Sequence, residues 1–326
     1  MSQFHQSIFD PLLHQALKVT EAAAIASYFY IGRGDEKKAD QAAVDAMRKA
    51  FDALPIQGKI VIGEGERDKA PMLYIGEKVG MHQGPEIDIA VDPLEGTTLT
   101  AKNHPNAISV MALAERGNLL EAPDVYMEKI AIGPNLPKDL IDITASPQKN
   151  IKELAKAVKK NVEDLTICVL ERPRHQELIA KIRETGARLT LINDGDVAAI
   201  MATCLPNGGV HLYLGSGGAP EGVLAAAALA TLGGQMQAQL LFNNEDEKQR
   251  AFKLGLKDLN HIYKESDLAK GDVLFIASGV TNGSLLKGVS INNGIQEVHS
   301  LVLHSFAKAT YTIKSNYHYE LTRAQT

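Results

Sequence analysis

Between Leu165 and Gly234 the chain spells strand followed by helix three times. LTICVLE leads into a helical stretch near His175–Glu184, and RLTLIN into one from Val197. GVHLYLG leads into an Ala-rich one that ends at Gly233-Gly234. Short apolar runs bounded by turn residues and separated by helical patterns predict a parallel or mixed sheet covered by helices. The preceding segment is punctuated differently. Asp10-Pro11 predicts an N-cap and first helical position for a helix running to about Ile31, with a second helix over Ala39–Leu54. Strands are expected at Lys59–Gly63, Glu86–Asp92, Ser109–Leu113 and Glu128–Ile132, with Ser146-Pro147 capping a helix to about Lys160. The change of style sets a soft boundary: an N-terminal lobe over 1–146 and a C-terminal α/β lobe over 147–326.

A chain of 326 residues is long enough for two such lobes. With 45% hydrophobic residues, no Trp and only 5% aromatics, the core must rest on Ala, Val, Ile and Leu. A net charge of −5 argues against a broad nucleic-acid surface, which needs clustered Lys and Arg. It leaves room for a small anionic substrate. The only cysteines, Cys168 and Cys204, stand among apolar neighbours in no CxxC pattern and read as buried thiols. No signal-peptide pattern opens the chain, and the longest apolar run, Val223–Leu232, falls well short of the roughly 18 residues of a membrane span. A cytoplasmic protein with no membrane partner is expected.

The chemistry concentrates in carboxylates at element ends. In Asp88-Ile-Ala-Val-Asp92-Pro93-Leu94-Glu95-Gly96-Thr97-Thr98 an apolar strand carries Asp92 to its C-terminal end, and proline is expected to stop it there. Gly96-Thr97-Thr98 then opens a helix. Two hard oxygen donors beside free backbone N–H groups suit a Mg²⁺ or Mn²⁺ ion and a phosphate. The plain alternative makes Asp92 and Glu95 helix-capping acids, and the string alone does not choose between the two. Three further clusters favour the metal. Gly63-Glu64-Gly65-Glu66-Arg67-Asp68 ends an earlier strand with three acids, and its glycines suggest a close approach to the backbone. Asp35-Glu36-Lys37-Lys38-Ala39-Asp40 precedes the second helix, where Asp35 or Asp40 taken singly reads as a helix cap, and Glu221 follows Gly215-Ser-Gly-Gly218-Ala-Pro220 in the first turn of a third. That last loop breaks GxGxxG at Pro220 and lacks GK[ST], which removes nicotinamide-dependent and P-loop readings.

VIGEGERDKAPMLYIGEKVG, DIAVDPLEGTTLTAKN, APDVYMEKI, ERPRH, NDGDVAA and GSGGAPEGV occur in that order. With them the sequence resembles the bacterial class II fructose-1,6-bisphosphatases from about Val19 to about Val289. These belong to the lithium-sensitive, inositol-monophosphatase-like phosphatases, whose D-P-[LI]-D-G-T signature carries Glu95 here as its second acid. The resemblance implies a layered α-β-α-β-α sandwich of two lobes and hydrolysis of the 1-phosphate of fructose 1,6-bisphosphate. It implies metal ligands at Asp40, Glu64, Asp92, Glu95 and Glu221 for Mn²⁺ or Mg²⁺, and Thr97 as catalytic hydroxyl. Glu95, Gly96 and Thr97 would meet the scissile phosphate and Tyr126 the sugar. Arg172, Pro173 and Arg174 would hold the distal phosphate, and Asp194, Gly195, Asp196 and Gly218 would line the sugar site. Homo-oligomerisation, as dimer or tetramer, is implied as well.

Independent chemistry supports several of these roles. Proline at 173 forces Arg172 into an extended conformation, so two guanidinium forks can point the same way towards a phosphate, although surface salt bridging is the alternative for that pair alone. Asp194 and Asp196 can accept from sugar hydroxyls and equally cap the helix at Val197. One departure stands out: the family's Lys after G-R-G-D is Glu36 here, with Lys37 next, and neither receives a role. Sedoheptulose 1,7-bisphosphate and inositol monophosphates are the alternative substrates, the arginine pair favouring a bisphosphate. A non-catalytic sugar-phosphate sensor is the alternative from another class.

Overall fold

The computed structural model describes residues 7–65 and 71–318. Along the chain come α1 (Leu13–Tyr28), α2 (Glu36–Phe51), β1 (Gln57–Ile62), β2 (Lys78–Val79), β3 (Glu86–Glu95), α3 (Thr97–Ala101) and β4 (Ile108–Glu115). They are followed by β5 (Tyr126–Ile132), α4 (Pro147–Val158), β6 (Thr166–Leu170), α5 (Gln176–Arg183), β7 (Arg188–Ile192), α6 (Asp196–Ala202) and β8 (Leu212–Gly218). Next are α7 (Ala219–Leu232), β9 (Gln235–Leu241), α8 (Glu245–Lys253), β10 (Ile262–Lys264) and α9 (Glu265–Leu268). β11 (Val273–Gly279), β12 (Ser290–Asn292), β13 (Ile295–His304) and β14 (Ala309–His318) close the chain. The fold is mixed α/β, as expected.

The chain divides into two compact units, 1–118 with 271–326, and 119–270. This differs from a boundary near 146 with everything beyond it in one lobe. β5 pairs with β8 and β9 rather than with the strands before it, and β11 returns to lie against β4. Antiparallel partners distant in sequence leave no local mark, so neither junction could be read from the order of elements.

In the first unit the sheet runs β12-β13-β11-β4-β3-β1-β2, with β14 also on β13; among the described residues only β1 and β3 pair in parallel. α1 and α2 cover it through a core that includes Phe9, Leu17, Met47, Phe51, Ile89, Leu113 and Ile276. α2 forms where the sequence favours it. Asp35 accepts from the Lys38 N–H at 3.1 Å, and Ala39, Ala43, Val44, Met47 and Phe51 bury one stripe. The capping role expected of Asp10 is not seen: α1 starts later, with Leu12 at its N-cap, and Asp10 accepts from the Ser7 N–H at 3.1 Å. α1 also buries Thr20, which meets Ser278 at 2.8 Å, and Glu21, whose carboxylate takes hydrogen bonds from Ser300 (3.3 Å) and the Tyr317 hydroxyl. Those partners on β11, β13 and β14 lie more than 250 residues away, which made the network invisible to pattern reading.

In the second unit the order is β10-β9-β5-β8-β6-β7, mixed, with β6 parallel to β7 and β8. Alternation places Ile130, Ile132, Ile167, Val169, Leu212 and Leu214 in a core with α4 and α5. On the other face of β5, Met127 and Lys129 lie against Gly222 of α7, a helix buried on nearly every side. Ser146 caps α4 by accepting from the Lys149 N–H at 3.2 Å, and Gly233 ends α7 at φ +74°; both were expected. Among the described residues no helix is long and apolar enough to cross a membrane.

Phe51 is fully buried in the first core. Phe51→Ala is expected to cost about 3–5 kcal/mol in a denaturant unfolding experiment, through lost burial and the cavity left behind. A midpoint equal to the parent's would show that α2 does not depend on this contact.

Candidate active site

In the first unit the acids sit where β3 turns into α3. Proline does not stop the strand as expected. β3 runs on through Pro93 to Glu95, and the ladder with β4 slips between Asp92↔Val110 and Glu95↔Ile108. The slip is a bulge, which tolerates a residue without an N–H and re-aims the side chains around it. Asp92 accepts from the Leu94 N–H at 3.0 Å, and Glu95 is 4% exposed. Ligand oxygens of the two carboxylates lie within 4.8 Å of one another. Gly96 follows at φ +100°, a left-handed turn that glycine adopts without strain. Thr97, half-buried, opens the five-residue α3, too short for a developed helix dipole, and its hydroxyl makes no hydrogen bond among the described residues.

Asp40 projects from α2 half-buried, and that burial pushes its carboxyl above the usual range. Glu64 follows β1, its N–H donating to Leu73 O at 3.0 Å. Of the close approach anticipated at its flanking glycines, the one at Gly63 comes from the chain itself, where a Cβ would lie 2.0 Å from the Leu73 carbonyl oxygen; Gly65 has nothing within 4 Å and instead adopts φ +118°. Neither Asp40 nor Glu64 joins a group of three acids at the spacing of the Asp92–Glu95 pair among the described residues. Glu66, Arg67 and Asp68 lie outside the described residues. Carboxylates at the end of β3, one half-buried and one buried, are the hard-oxygen set that Mg²⁺ or Mn²⁺ takes, so these residues fit a divalent cation.

In the second unit Tyr126 begins β5, and Arg174 stands over its ring, 4.6 Å from the centroid. The two arginines do not act alike. Arg172 is extended (φ −133°, ψ 149°), as proline after it requires, and bonds the Glu171 carbonyl at 3.2 Å. It borders a surface cavity of about 450 Å³ with Pro173, Gln176 and Arg183. Arg174 turns instead to Ser216, donating from Nε to its Oγ (3.0 Å) and from Nη2 to its carbonyl (2.6 Å).

Asp194 accepts from the Gly195 N–H at 3.2 Å, and Gly195 caps α6 at φ +85°. Asp196, 5% exposed, is held inside the protein: Lys129 Nζ reaches its Oδ2 at 2.5 Å and the Gly218 carbonyl at 2.9 Å, and the Tyr213 hydroxyl donates to the same Oδ2 at 3.3 Å. Lys129 thus links two expected sugar-site residues, Asp196 and Gly218. Glu221 folds back along the start of α7, so that a Cβ at Gly218 would lie 2.0 Å from its Oε2. Sequence reasoning passed over Lys129, His175 and Ser216. The available signals were a lysine inside the apolar strand YMEKIAI and a histidine directly after Arg-Pro-Arg.

The sequence pattern of the bacterial fructose-1,6-bisphosphatases encoded by glpX matches residues 10–317. The chain belongs to that family. It is 44% identical over 312 residues to the fructose-1,6-bisphosphatase class 2 of Haemophilus influenzae, covering 91% of this chain and 93% of that one. It is 43% identical over 316 residues to a D-fructose 1,6-bisphosphatase class 2/sedoheptulose 1,7-bisphosphatase of Synechococcus (89% and 91% covered). A protein of the same description from Trichodesmium erythraeum is 42% identical over 319 residues (90% and 92% covered). A solved inositol monophosphatase of Anabaena is 16% identical with a TM-score of 0.32, over 60% of this chain and 71% of that one. Family membership makes the chain a phosphoric monoester hydrolase, a fructose-1,6-bisphosphatase.

The buried Lys129–Asp196 pair yields a direct test. Lys129→Met leaves the carboxylate without its main counter-charge, and a loss of about 3–5 kcal/mol in stability is expected by denaturant unfolding. Lys129→Met combined with Asp196→Leu should recover most of it. An unfolding midpoint unchanged in the single variant would remove the pair from the forces holding β5 to α6.

Proposed function

We propose that this fructose-1,6-bisphosphatase cleaves the 1-phosphate ester, releasing fructose 6-phosphate and phosphate, with Mg²⁺ or Mn²⁺ held by Asp92, Glu95, Asp40, Glu64 and Glu221. The observation that carries this reading is the pairing of Asp92 and Glu95 within 4.8 Å at the end of β3, two residues before the hydroxyl of Thr97. A divalent cation held by these residues would supply charge to neutralise phosphoryl oxygens and to acidify water. The chain's own contribution is positional. Thr97 offers a hydroxyl at a fixed point to orient the attacking water, and Glu95 and Gly96 border the phosphoryl group.

At the other end of the substrate Arg174 and Arg172 take the 6-phosphate. The part of the Arg174 fork not bonded to Ser216 remains for phosphate oxygens. Tyr126, Pro173, Asp194, Gly195 and Gly218 border the sugar, while Asp196 holds Lys129 in place. Binding energy from the distal phosphate then orients the scissile one. Two of the relatives carry sedoheptulose 1,7-bisphosphatase in their names, which supports the heptulose bisphosphate as a second substrate of the same site. The family likeness also supports a cytoplasmic homo-oligomer with no nucleic-acid partner.

Phosphate release measured over a panel of sugar mono- and bisphosphates tests the assignment. Activity should be highest on the two ketose bisphosphates, vanish with chelator and return with added Mg²⁺ or Mn²⁺. Thr97→Ala is expected to lower kcat by about 10²-fold or more while leaving substrate binding nearly intact. Full turnover in that variant, or in the presence of chelator, would overturn the mechanism.

A further inference from the structure

The β6–β8 ladder ends at Cys168↔Tyr213, three residues before Ser216. Beyond that point β6 offers no carbonyl to the Ser216 N–H, and His175 supplies the acceptor instead, its Nε2 receiving that N–H at 2.9 Å. The other ring nitrogen, Nδ1, stands 2.7 Å from the Leu170 carbonyl oxygen. A carbonyl only accepts, so Nδ1 carries the proton and Nε2 is the acceptor; two backbone groups fix the tautomer. The residue is 4% exposed, and burial lowers the ring's pKa from the ordinary imidazole value. It lies against Gly215, where a Cβ would come within 3.1 Å of it. His175 therefore bridges the end of β6 to β8 and sets where Ser216 stands.

Ser216 in turn receives Arg174 twice, on Oγ at 3.0 Å and on its carbonyl at 2.6 Å, and the guanidinium plane then rests over Tyr126. We propose that His175 and Ser216 are positioning residues for the distal phosphate: they hold Arg174 in one pose, so that its fork meets that phosphate without first being ordered. The inference rests on the reading above that Arg174 takes the distal phosphate. An arginine on an exposed turn samples many rotamers, and immobilising it on binding weakens affinity. The His175–Ser216 relay moves that ordering into folding. Both residues are almost fully buried, so the effect falls on binding of the distal group and not on the chemical step.

The test is steady-state kinetics of phosphate release on fructose 1,6-bisphosphate and on fructose 1-phosphate, which lacks the distal group. Where turnover of the monophosphate is too slow, its inhibition constant is read instead. The variants are His175→Phe, which keeps a ring and loses the acceptor, His175→Gln, which restores a carbonyl oxygen towards the Ser216 N–H, Ser216→Ala and Arg174→Ala. His175→Phe and Ser216→Ala should each raise KM for the bisphosphate about three- to tenfold, with kcat within about twofold of the parent and the monophosphate constant unchanged. His175→Gln should restore most of the lost KM. If His175→Phe does not fold, Ser216→Ala carries the comparison. A rise in KM for Arg174→Ala with none in Ser216→Ala or His175→Phe would overturn the inference and leave the role of Arg174 standing. Equal losses on both substrates would assign the pair a merely structural part and overturn it too. An unchanged KM in Arg174→Ala would remove the distal-phosphate reading itself, and this inference with it.

Discussion

A fully buried lysine ammonium in the middle of a β-strand sets the terms for the whole second unit. Taking the charge of Lys129 out of water costs far more than one ordinary hydrogen bond returns, so β5 can occupy its place only if an anion meets it there. Asp196 does so from the first turn of α6, at 2.5 Å, with the Gly218 carbonyl and the Tyr213 hydroxyl completing the arrangement. That one requirement fixes α6 relative to β5 and the end of β8 relative to both. The stem of Lys129 lies against Gly222, where no side chain intervenes, so the start of α7 is drawn into the same set of constraints. Tyr126 stands three residues before Lys129 on the strand, and its orientation follows from a pleat anchored by this pair.

The first unit meets the same kind of requirement with different chemistry. Glu21 on α1 is almost completely buried and is answered by hydroxyls from β13 and β14. Asp88 on β3 is met by Arg116 at 2.9 Å and by the Gly117 N–H at 2.6 Å, tying the start of β3 to the turn after β4. β3 is therefore held firmly near its beginning and by its ladder to β4 along most of its length. The bulge after Asp92 comes at the far end, where Pro93 cannot donate to the sheet and the next residues are released into the turn at Gly96. Rigid strand, local irregularity and left-handed glycine succeed one another within five residues. In this way the chain brings two carboxylates and a threonine hydroxyl to neighbouring positions without a long loop.

Much of this was legible because it was written locally. Caps at Asp35 and Ser146, the glycine that ends α7, the strand-helix alternation and the run from Asp92 to Thr97 all depend on residues a few positions apart. The motif residues Arg174 and Tyr126 were also named from sequence, and they meet in the structure. What could not be read depends on pairing across distance. Nothing near Val273 announces that it returns to β4, and nothing near Tyr126 announces that its strand belongs with β8 and β9. Asp10 shows the limit of local signals even at short range. It has the residue type and the following proline of an N-cap, yet a competing bond from the Ser7 N–H engages the same side chain. Asp196 shows another: an acid at a helix start reads as a sugar ligand or a cap, and its ion pair with a lysine across the sheet has no local signal.

The treatment of Arg174 differs from that of Arg172, and the difference has a physical logic. Each fork has a limited number of N–H donors, and every bond made inside the protein removes one from the substrate. Arg174 gives up part of its fork to Ser216 and gains a fixed plane over an aromatic ring; among the described residues Arg172 is tied only to a neighbouring carbonyl and keeps nearly its whole fork. The fold thus fixes Arg174, while Arg172 keeps most of its donors for a partner. If the pair takes the distal phosphate, as proposed above, one fixed fork would suffice to orient that group, and excess ground-state affinity for a phosphate that must leave with the product would gain nothing. The less constrained fork could then follow a sugar chain of a different length.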